Sequence, residues 1–346
     1  SGQGRPIYRV EKEPLMRAVV LDGYGDPEVL SVRDVPDPSP GPNEILIEVV
    51  ATALNRADLL QRLGLYPGPS MEFEIPGLEF AGRVVALGEG CSRWSVGDRV
   101  MTITGGGGYA ELAVVHEDQA IRVPDGVSLD VAGGLAEVFI TAWDALVLQG
   151  GLAAGDRALV HAGASGVGTA ALQLCGLVGA EVIATASAAK LGVCQDLGAV
   201  LAIDRASDGD SSDWVAEIAR HTGGIGVDVV LDVVGGNYLD RNLDCLAIGG
   251  TIVQVGVMGG GQATFGLAKM LFKKATLIGT TLRSRSLEEK IAVSRAFEEQ
   301  VVPGFEDGRL RVVVDRRFSL DQVAEAHAYL ESNASVGKVL LEVRSV

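Results

Sequence analysis

Three glycines in the stretch RALVHAGASGVGTAALQLCGLV, Arg157 to Val178, could do chemistry through the backbone alone. An apolar run, Ala158 to His161, meets Gly163, Gly166 and Gly168, and a proline-free run of helix formers follows. The pattern reads as strand, tight turn and helix. Lacking Cβ atoms, such a turn lets backbone N–H groups and a helix N-terminus touch a pyrophosphate, whose charge the helix dipole favours. The spacing is Gly-x-x-Gly-x-Gly rather than the commoner Gly-x-Gly-x-x-Gly, and a ligand-free turn would use the same residues. The surrounding elements have to decide.

Those elements alternate regularly. Strands are expected at 157–161, 181–185 and 199–203, with helices at 166–178, 188–197 and 211–221. A strand from Val227, a helix around Asn237 to Leu246, and the strands TIVQVGV and ATLIGT follow. Strands that are apolar throughout, separated by helices, are the signature of a doubly wound parallel sheet covered on both faces. The glycine turn opens its first βαβ unit, where such sheets bind a dinucleotide.

An acidic residue after the second strand would select NAD by binding the adenine ribose. Here Ala186, Ser187, Ala188, Ala189 and Lys190 follow it, with no carboxylate. Ser187 and Lys190 suit a 2′-phosphate and so NADPH; they equally suit the cap and first turn of the next helix, and the two roles are compatible. Arg205, after the third strand, is a second candidate cation, with Asp204 beside it.

Before this unit the chain is β-rich. Met16 to Leu30 holds a short strand and turn residues, Val32 to Pro42 is punctuated by four prolines, and EILIEVVATA alternates as a half-buried strand. One or two helical turns are expected between Asn55 and Leu63, then strands at 77–87 and 98–104, giving a compact, partly open barrel. The helical stretch from Ser128 to Leu148 reads as the joint between two domains. After an amphipathic helix ending at Gln300, the elements LRVVVDRRF, QVAEAHAYLES and KVLLEV return to the first domain.

At 346 residues the chain accommodates two cores. No apolar run reaches the roughly 18 residues of a membrane span, and the polar opening, residues 1–15, reads as a lead-in open to disorder rather than a secretory signal. A net charge of −16 argues against nucleic-acid and anionic-membrane partners. Cys91, Cys175, Cys194 and Cys245 form no Cys-x-x-Cys pair and read as reduced residues of a cytoplasmic protein. His161 reads as a packing residue, and no histidine has the neighbours of a catalytic triad.

The segments ALNRADLLQR, HAGASGVGTAALQL, VGVMGGG, TLRSRS and SVGKVLLE resemble the medium-chain dehydrogenase/reductase superfamily, specifically its zinc-free quinone oxidoreductase (zeta-crystallin-like) branch, and within it the tumour-suppressor-inducible homologues. The resemblance implies a β-rich GroES-like catalytic domain, residues 16–138 and 286–346, and a Rossmann cofactor domain, residues 139–285. Zinc-dependent members hold their metal with a Cys and the His of a Gly-His-Glu motif. Asn55 and Leu78 occupy those positions here, and neither replaces a thiolate or an imidazole. The resemblance therefore implies a metal-free site. Without a Lewis acid, the expected acceptors are ones that already take electrons readily, quinones or conjugated enones, reduced by hydride from NADPH.

By the same resemblance Tyr66 lies over the nicotinamide with Asn55 nearby, while Asn55 and Asp58 could instead only cap the short helix. Cofactor contacts are implied for Ser165, Gly166, Val167, Gly168, Gly256, Met258, Leu282, Arg283, Ser284 and Asn333, with Thr141 at the nicotinamide side. Glu137 lines the pocket or simply starts a helix, and Arg283 and Arg285 could be solvated charges. Three departures stand out: the TASAAKL loop is one residue short, Arg205 replaces a common Tyr, and Leu60 replaces a pocket Tyr. A homodimer through the sheet edge TIVQVGV/ATLIGT is expected. An enone or enoyl reductase, and an NADPH-binding protein with little turnover, are the competing readings.

Overall fold

The computed structural model describes residues 14–206 and 213–344, so most of the lead-in and the first residues of the helix expected at 211–221 lie outside it. The first half contains β1 (Leu15–Leu21), β2 (Leu30–Pro36), β3 (Glu44–Leu54), α1 (Arg56–Arg62), β4 (Glu79–Leu87), β5 (Arg99–Ile103), β6 (Leu112–His116) and β7 (Ile121–Arg122). Two helices, α2 (Leu129–Ala132) and α3 (Ala136–Trp143), lead into β8 (Arg157–His161), α4 (Gly166–Val178), β9 (Glu181–Ala186), α5 (Leu191–Asp196) and β10 (Leu201–Asp204). Then come α6 (Trp214–His221), β11 (Val227–Asp232), α7 (Tyr238–Cys245), β12 (Leu246–Gln254), α8 (Leu267–Lys273) and β13 (Thr276–Gly279). The chain closes with α9 (Leu287–Gln300), α10 (Pro303–Glu306), β14 (Val314–Ser319), α11 (Val323–Glu331) and β15 (Lys338–Glu342).

Six parallel strands form one sheet in the order β10-β9-β8-β11-β12-β13. This is the doubly wound order, and its direction reverses between β8 and β11, which opens a crevice at their carboxyl ends. The other large sheet runs β14-β15-β3-β4-β5-β7, with β6 paired to β3. The fold is thus a β-rich GroES-like unit joined to a Rossmann unit. One buried apolar cluster runs through both, from Val50, Met101 and Ile121 through Phe139 on α3 to Leu172 and Val229.

Three expectations change. The proline-punctuated stretch begins with a strand: β2 pairs antiparallel with all of β1, because only Pro36, at its end, falls within the run from Leu30, and the other prolines lie beyond it. The helix expected from Ser128 to Leu148 is broken after Ala132 and ends in a π-helical turn, Asp144–Gln149. At the break, a Cβ on Gly133 would lie 2.6 Å from the Ala51 carbonyl, so glycine lets this segment press against β3. The strand expected from Leu310 starts only at Val314. Ahead of it, Arg311 takes its hydrogen bonds from the side chain of Gln173, 2.9 Å from its N and 3.0 Å from its O, instead of from a neighbouring strand.

Candidate active site and cofactor cleft

Three strand ends converge on one buried polar cluster. β3 delivers Asn55 just past its end, β4 begins with Glu79, and β15 begins with Lys338, which β15–β3 pairing sets beside Leu54. The Lys338 ammonium donates to Asn55 Oδ1 at 2.7 Å, Glu79 Oε1 at 2.8 Å and Leu54 O at 2.9 Å, so its three protons are all engaged. Asn55 Nδ2 donates to Glu79 Oε1 at 3.0 Å, and the backbone N–H of Glu137 donates to Glu79 Oε2 at 2.9 Å. Lys338 and Glu79 are 3% and 0% exposed, a degree of burial that charged side chains reach only when paired.

Asp58 sits under this cluster, wholly buried. One carboxylate oxygen accepts from Asn55 N at 2.7 Å, as the N3 partner of a capping box, and the other from Gly77 N at 3.2 Å. Burial pushes its pKa up to about 6, against the lowering effect of the Asn55 amide and Lys338. Asp58 therefore shapes the site by holding two backbone turns. Gly77 has φ +103°, and a Cβ there would meet the Tyr109 ring at 2.5 Å.

Arg283 closes one side. Its guanidinium donates to Gly105 O at 2.8 Å, Tyr66 O at 3.0 Å and Gln61 Oε1 at 2.7 Å, and lies 4.9 Å from the centre of the Tyr66 ring. The option of a solvated Arg283 is overturned: it joins the segment after β13 to the loop that carries Tyr66. Arg285 is likewise engaged, in a two-pronged pair with Asp144 at 2.6 and 3.0 Å. Leu282 is buried, and Ser284 Oγ lies 2.6 Å from Thr281 Oγ1. Leu78 faces a small cavity it shares with Glu137, Leu282, Arg283 and Lys290.

The glycine turn lies at the switch point between β8 and β11. Ser165 caps α4 by accepting from Gly168 N at 3.0 Å, and the Gly166 and Val167 amides precede the first intrahelical bond, from Thr169 N to Ser165 O. A Cβ on Gly168 would come within 2.3 Å of Ala162 O, so only glycine lets the helix start this close to the strand end. The turn is also tied to β15, since Gly337 N donates to Ala164 O at 2.9 Å and Gly166 lies against the Lys338 stem. Beneath it, His161 bonds Thr185 at 2.8 Å and Asn242 at 2.7 Å, and Asn242 bonds Asp232 at 2.8 Å, as a packing role requires. This turn fits a pyrophosphate: glycines where a Cβ would strike the strand end, β9 or β15, so that a thirteen-residue helix starts close against the sheet with its first amides free of intrahelical partners.

Residues 41–125 match the family described as "Alcohol dehydrogenase GroES-like domain", and residues 166–298 the one described as "Zinc-binding dehydrogenase". The quinone oxidoreductase of Pseudomonas aeruginosa is 31% identical over 329 residues, 94% of this chain and 99% of that protein. The chain belongs to the quinone oxidoreductase branch of the medium-chain dehydrogenase/reductase superfamily. The synaptic vesicle membrane protein VAT-1 homolog of Mus musculus is also 31% identical, over 95% of this chain and 84% of its own. A mycobacterial protein whose structure was solved in complex with NADPH superposes with a TM-score of 0.83 at 31% identity, covering 95% of this chain and all of the other. As a medium-chain dehydrogenase/reductase the protein is an oxidoreductase that binds a nicotinamide cofactor.

The zinc site of that superfamily does not fit these residues. Leu78 has no donor atom, the Asn55 amide is engaged by Lys338 and Glu79, and the buried Lys338 ammonium already occupies the Asn55 oxygen. Among the described residues no group of three or more His, Cys, Asp or Glu side chains is placed to hold a metal ion.

The remaining residues expected around the cofactor fall into two places. Gly256 and Met258 follow β12 at the cleft, with Met258 N bonded to Val233 O at 3.3 Å, and Thr141 on α3 lies 3.5 Å from Glu137. Lys190 and Asn333 meet at the other end: Lys190 Nζ donates to Asn333 O at 2.7 Å and Ser335 O at 2.8 Å, and Arg56 donates to Asn333 Oδ1 at 2.7 Å. Ser187 precedes the 3₁₀ turn that carries Lys190, and Arg205 lies close enough to lower the Lys190 pKa, which desolvation lowers most. Sequence reasoning missed the Lys338–Glu79 pair, although a lysine opening the apolar run KVLLEV was a signal for it. No helix among the described residues is long and apolar enough to cross a membrane.

Proposed function

We propose that this oxidoreductase reduces quinones with NADPH and without zinc. The carrying observation is the closed Lys338–Glu79–Asn55 cluster, which leaves no ligand set where metal-dependent relatives hold their ion. NADPH, when bound, supplies a hydride. The amides of Gly166 and Val167, with Ser165 and Gly168, hold the pyrophosphate. Ser187, Lys190 and Arg205 receive the 2′-phosphate, a reading supported by the absence of a carboxylate after β9. Gly256, Met258 and Leu282 to Ser284 border the cofactor, Tyr66 lies over the nicotinamide with Thr141 on its side, and Asn55 is the nearby polar contact to acceptor or ring. The Arg283 clamp fixes the Tyr66 loop and excludes water, so the protein's contribution is orientation in a dry cleft. Lacking a Lewis acid, the site favours acceptors with low-lying carbonyl orbitals, quinones ahead of simple ketones.

The test is NADPH consumption with several ortho- and para-quinones in the presence of a chelator, with NADH alongside. Turnover that persists with chelator and prefers NADPH supports the reading; no oxidation with any quinone overturns it. Product analysis with a conjugated enone beside the quinone separates the enone reductase alternative.

The same reading assigns residues 16–138 and 286–346 to catalysis and 139–285 to the cofactor, in a cytoplasmic homodimer. Pairing through β13 is supported by its unpaired edge and by exposed Leu267, Leu271, Phe272 and Leu277 beside it. Light scattering that gives a monomer removes the dimer.

A further inference from the structure

We propose that Glu137 is the proton donor of the reaction, its carboxylic acid giving a proton to the oxygen of the acceptor as it is reduced. The inference rests on the reductase reading above. Glu137 is the second residue of α3, partly exposed, and its side chain faces the small cavity lined by Leu78, Thr104, Leu282, Arg283 and Lys290.

The hydrogen bonding around the buried cluster says where the proton resides. Lys338 has no proton left for Glu137, because its three are engaged by Leu54, Asn55 and Glu79. Asp58 has two backbone N–H donors to stabilise its anion. Glu137 has neither: its only side-chain hydrogen-bond contact among the described residues is Thr141 Oγ1, 3.5 Å from Oε1, and it has no ion-pair partner there. Three carboxyl groups thus share one fully buried ammonium, and the one whose sole donor is a hydroxyl at 3.5 Å keeps its proton.

The charged and titratable groups facing Glu137 come from every element around it: Glu79 on β4, Asp58 on α1, Tyr66 on the loop after α1, Lys338 on β15, Arg283 after β13 and Lys290 on α9. Burial, with Glu79 and Asp58 acting in the same sense and Lys338 opposing, pushes the Glu137 pKa up to about 8, near the value a general acid needs at neutral pH.

The balance is simple. A quinone that takes the hydride NADPH would supply, leaving NADP⁺, gains one O–H bond and is left with its other oxygen anionic. The O–H bond of Glu137 breaks, a new O–H bond forms on that oxygen to complete the hydroquinone, and the Glu137 carboxylate takes a proton from solvent.

The test has two independent readouts. Infrared spectra of the cofactor-free protein, titrated over pH, are expected to show a protonated-carboxyl band at neutral pH that is lost above about pH 8 and missing in Glu137→Gln. In turnover with a quinone, kcat is expected to fall about 10²- to 10⁴-fold in Glu137→Gln and to lose its alkaline limb. Glu137→Asp, which keeps an acid in place, should retain that limb at a reduced rate and guards against misfolding of the amide variant. A band that persists in Glu137→Gln, or a variant with wild-type rate and pH profile, overturns the assignment. A wild type that shows the band but oxidises no NADPH overturns the reductase reading instead, and with it the donor role.

Discussion

Lys338 and Glu79 open strands that do not pair with each other, yet their side chains meet at 2.8 Å because β15 and β4 flank the same strand, β3. The contact spans 259 positions of sequence and lies under the cleft. Removing one partner leaves the other charge buried and unpaired, at a cost of about 3–5 kcal/mol. Lys338→Met is therefore expected to lower unfolding free energy by roughly that amount at neutral pH, and Glu79→Leu added to it should recover part of the loss. Denaturant titrations of both variants check this; a single variant as stable as wild type would rule it out.

Arg283 does what lysine cannot. Its planar fork reaches two carbonyls and the Gln61 amide oxygen while covering the Tyr66 ring. Arg283→Lys should lose at least two of these contacts, about 2 kcal/mol or more, and loosen the loop around Tyr66. We expect an acceptor KM raised on the order of tenfold and faster proteolysis at Leu65 to Gly68. Wild-type KM with an intact loop would show that the clamp does not shape the acceptor site.

Much of this was legible in the chain itself, for local reasons. The glycine turn and the apolar strands from Arg157 onward announce a doubly wound sheet because each needs only its neighbours to be read. His161 reads correctly as packing because it ends a buried strand. Lys338 and Arg283 were not legible in the same way: their partners lie hundreds of residues away, and only the sheet order and the segment after β13 bring them together. β2 was hidden by prolines that lie mostly past its end.

Gly168 makes the cofactor turn testable. A methyl group there would meet backbone atoms, Ala162 O at 2.3 Å and Gly163 C at 2.6 Å, which cannot rotate aside. In Gly168→Ala the start of α4 must retreat from the strand, taking its amides with it. Nucleotide affinity is expected to fall tenfold or more, about 1.4 kcal/mol or above, for NADPH and NADH alike, because the pyrophosphate is common to both. Lys190→Ala should instead weaken NADPH alone. Fluorescence titration with both nucleotides separates the two, and equal losses for Lys190→Ala would remove it from the 2′-phosphate site.

His327 sets an acid limit on the fold. It is fully buried, packs edge-on against Tyr109, and neither ring nitrogen has a hydrogen-bond partner among the described residues. Burial foremost, with Arg62 adding to it, lowers its pKa to about 3. The unfolded chain binds a proton near pH 6.5 and the folded protein does not until about pH 3, so between these values the unfolded state holds more protons and stability falls as pH falls. Asp58 and Glu137 act in the opposite sense, since their raised pKa values let the folded state keep protons that the unfolded chain releases. Wild type alone therefore mixes the two effects, whereas its difference from His327→Leu isolates the histidine. That difference should be flat above pH 7 and decline by about 1.4 kcal/mol per pH unit below 6.5, as read from urea unfolding at a series of pH values. A difference that stays flat down to pH 4 would mean that His327 is protonated as readily inside the protein as outside it.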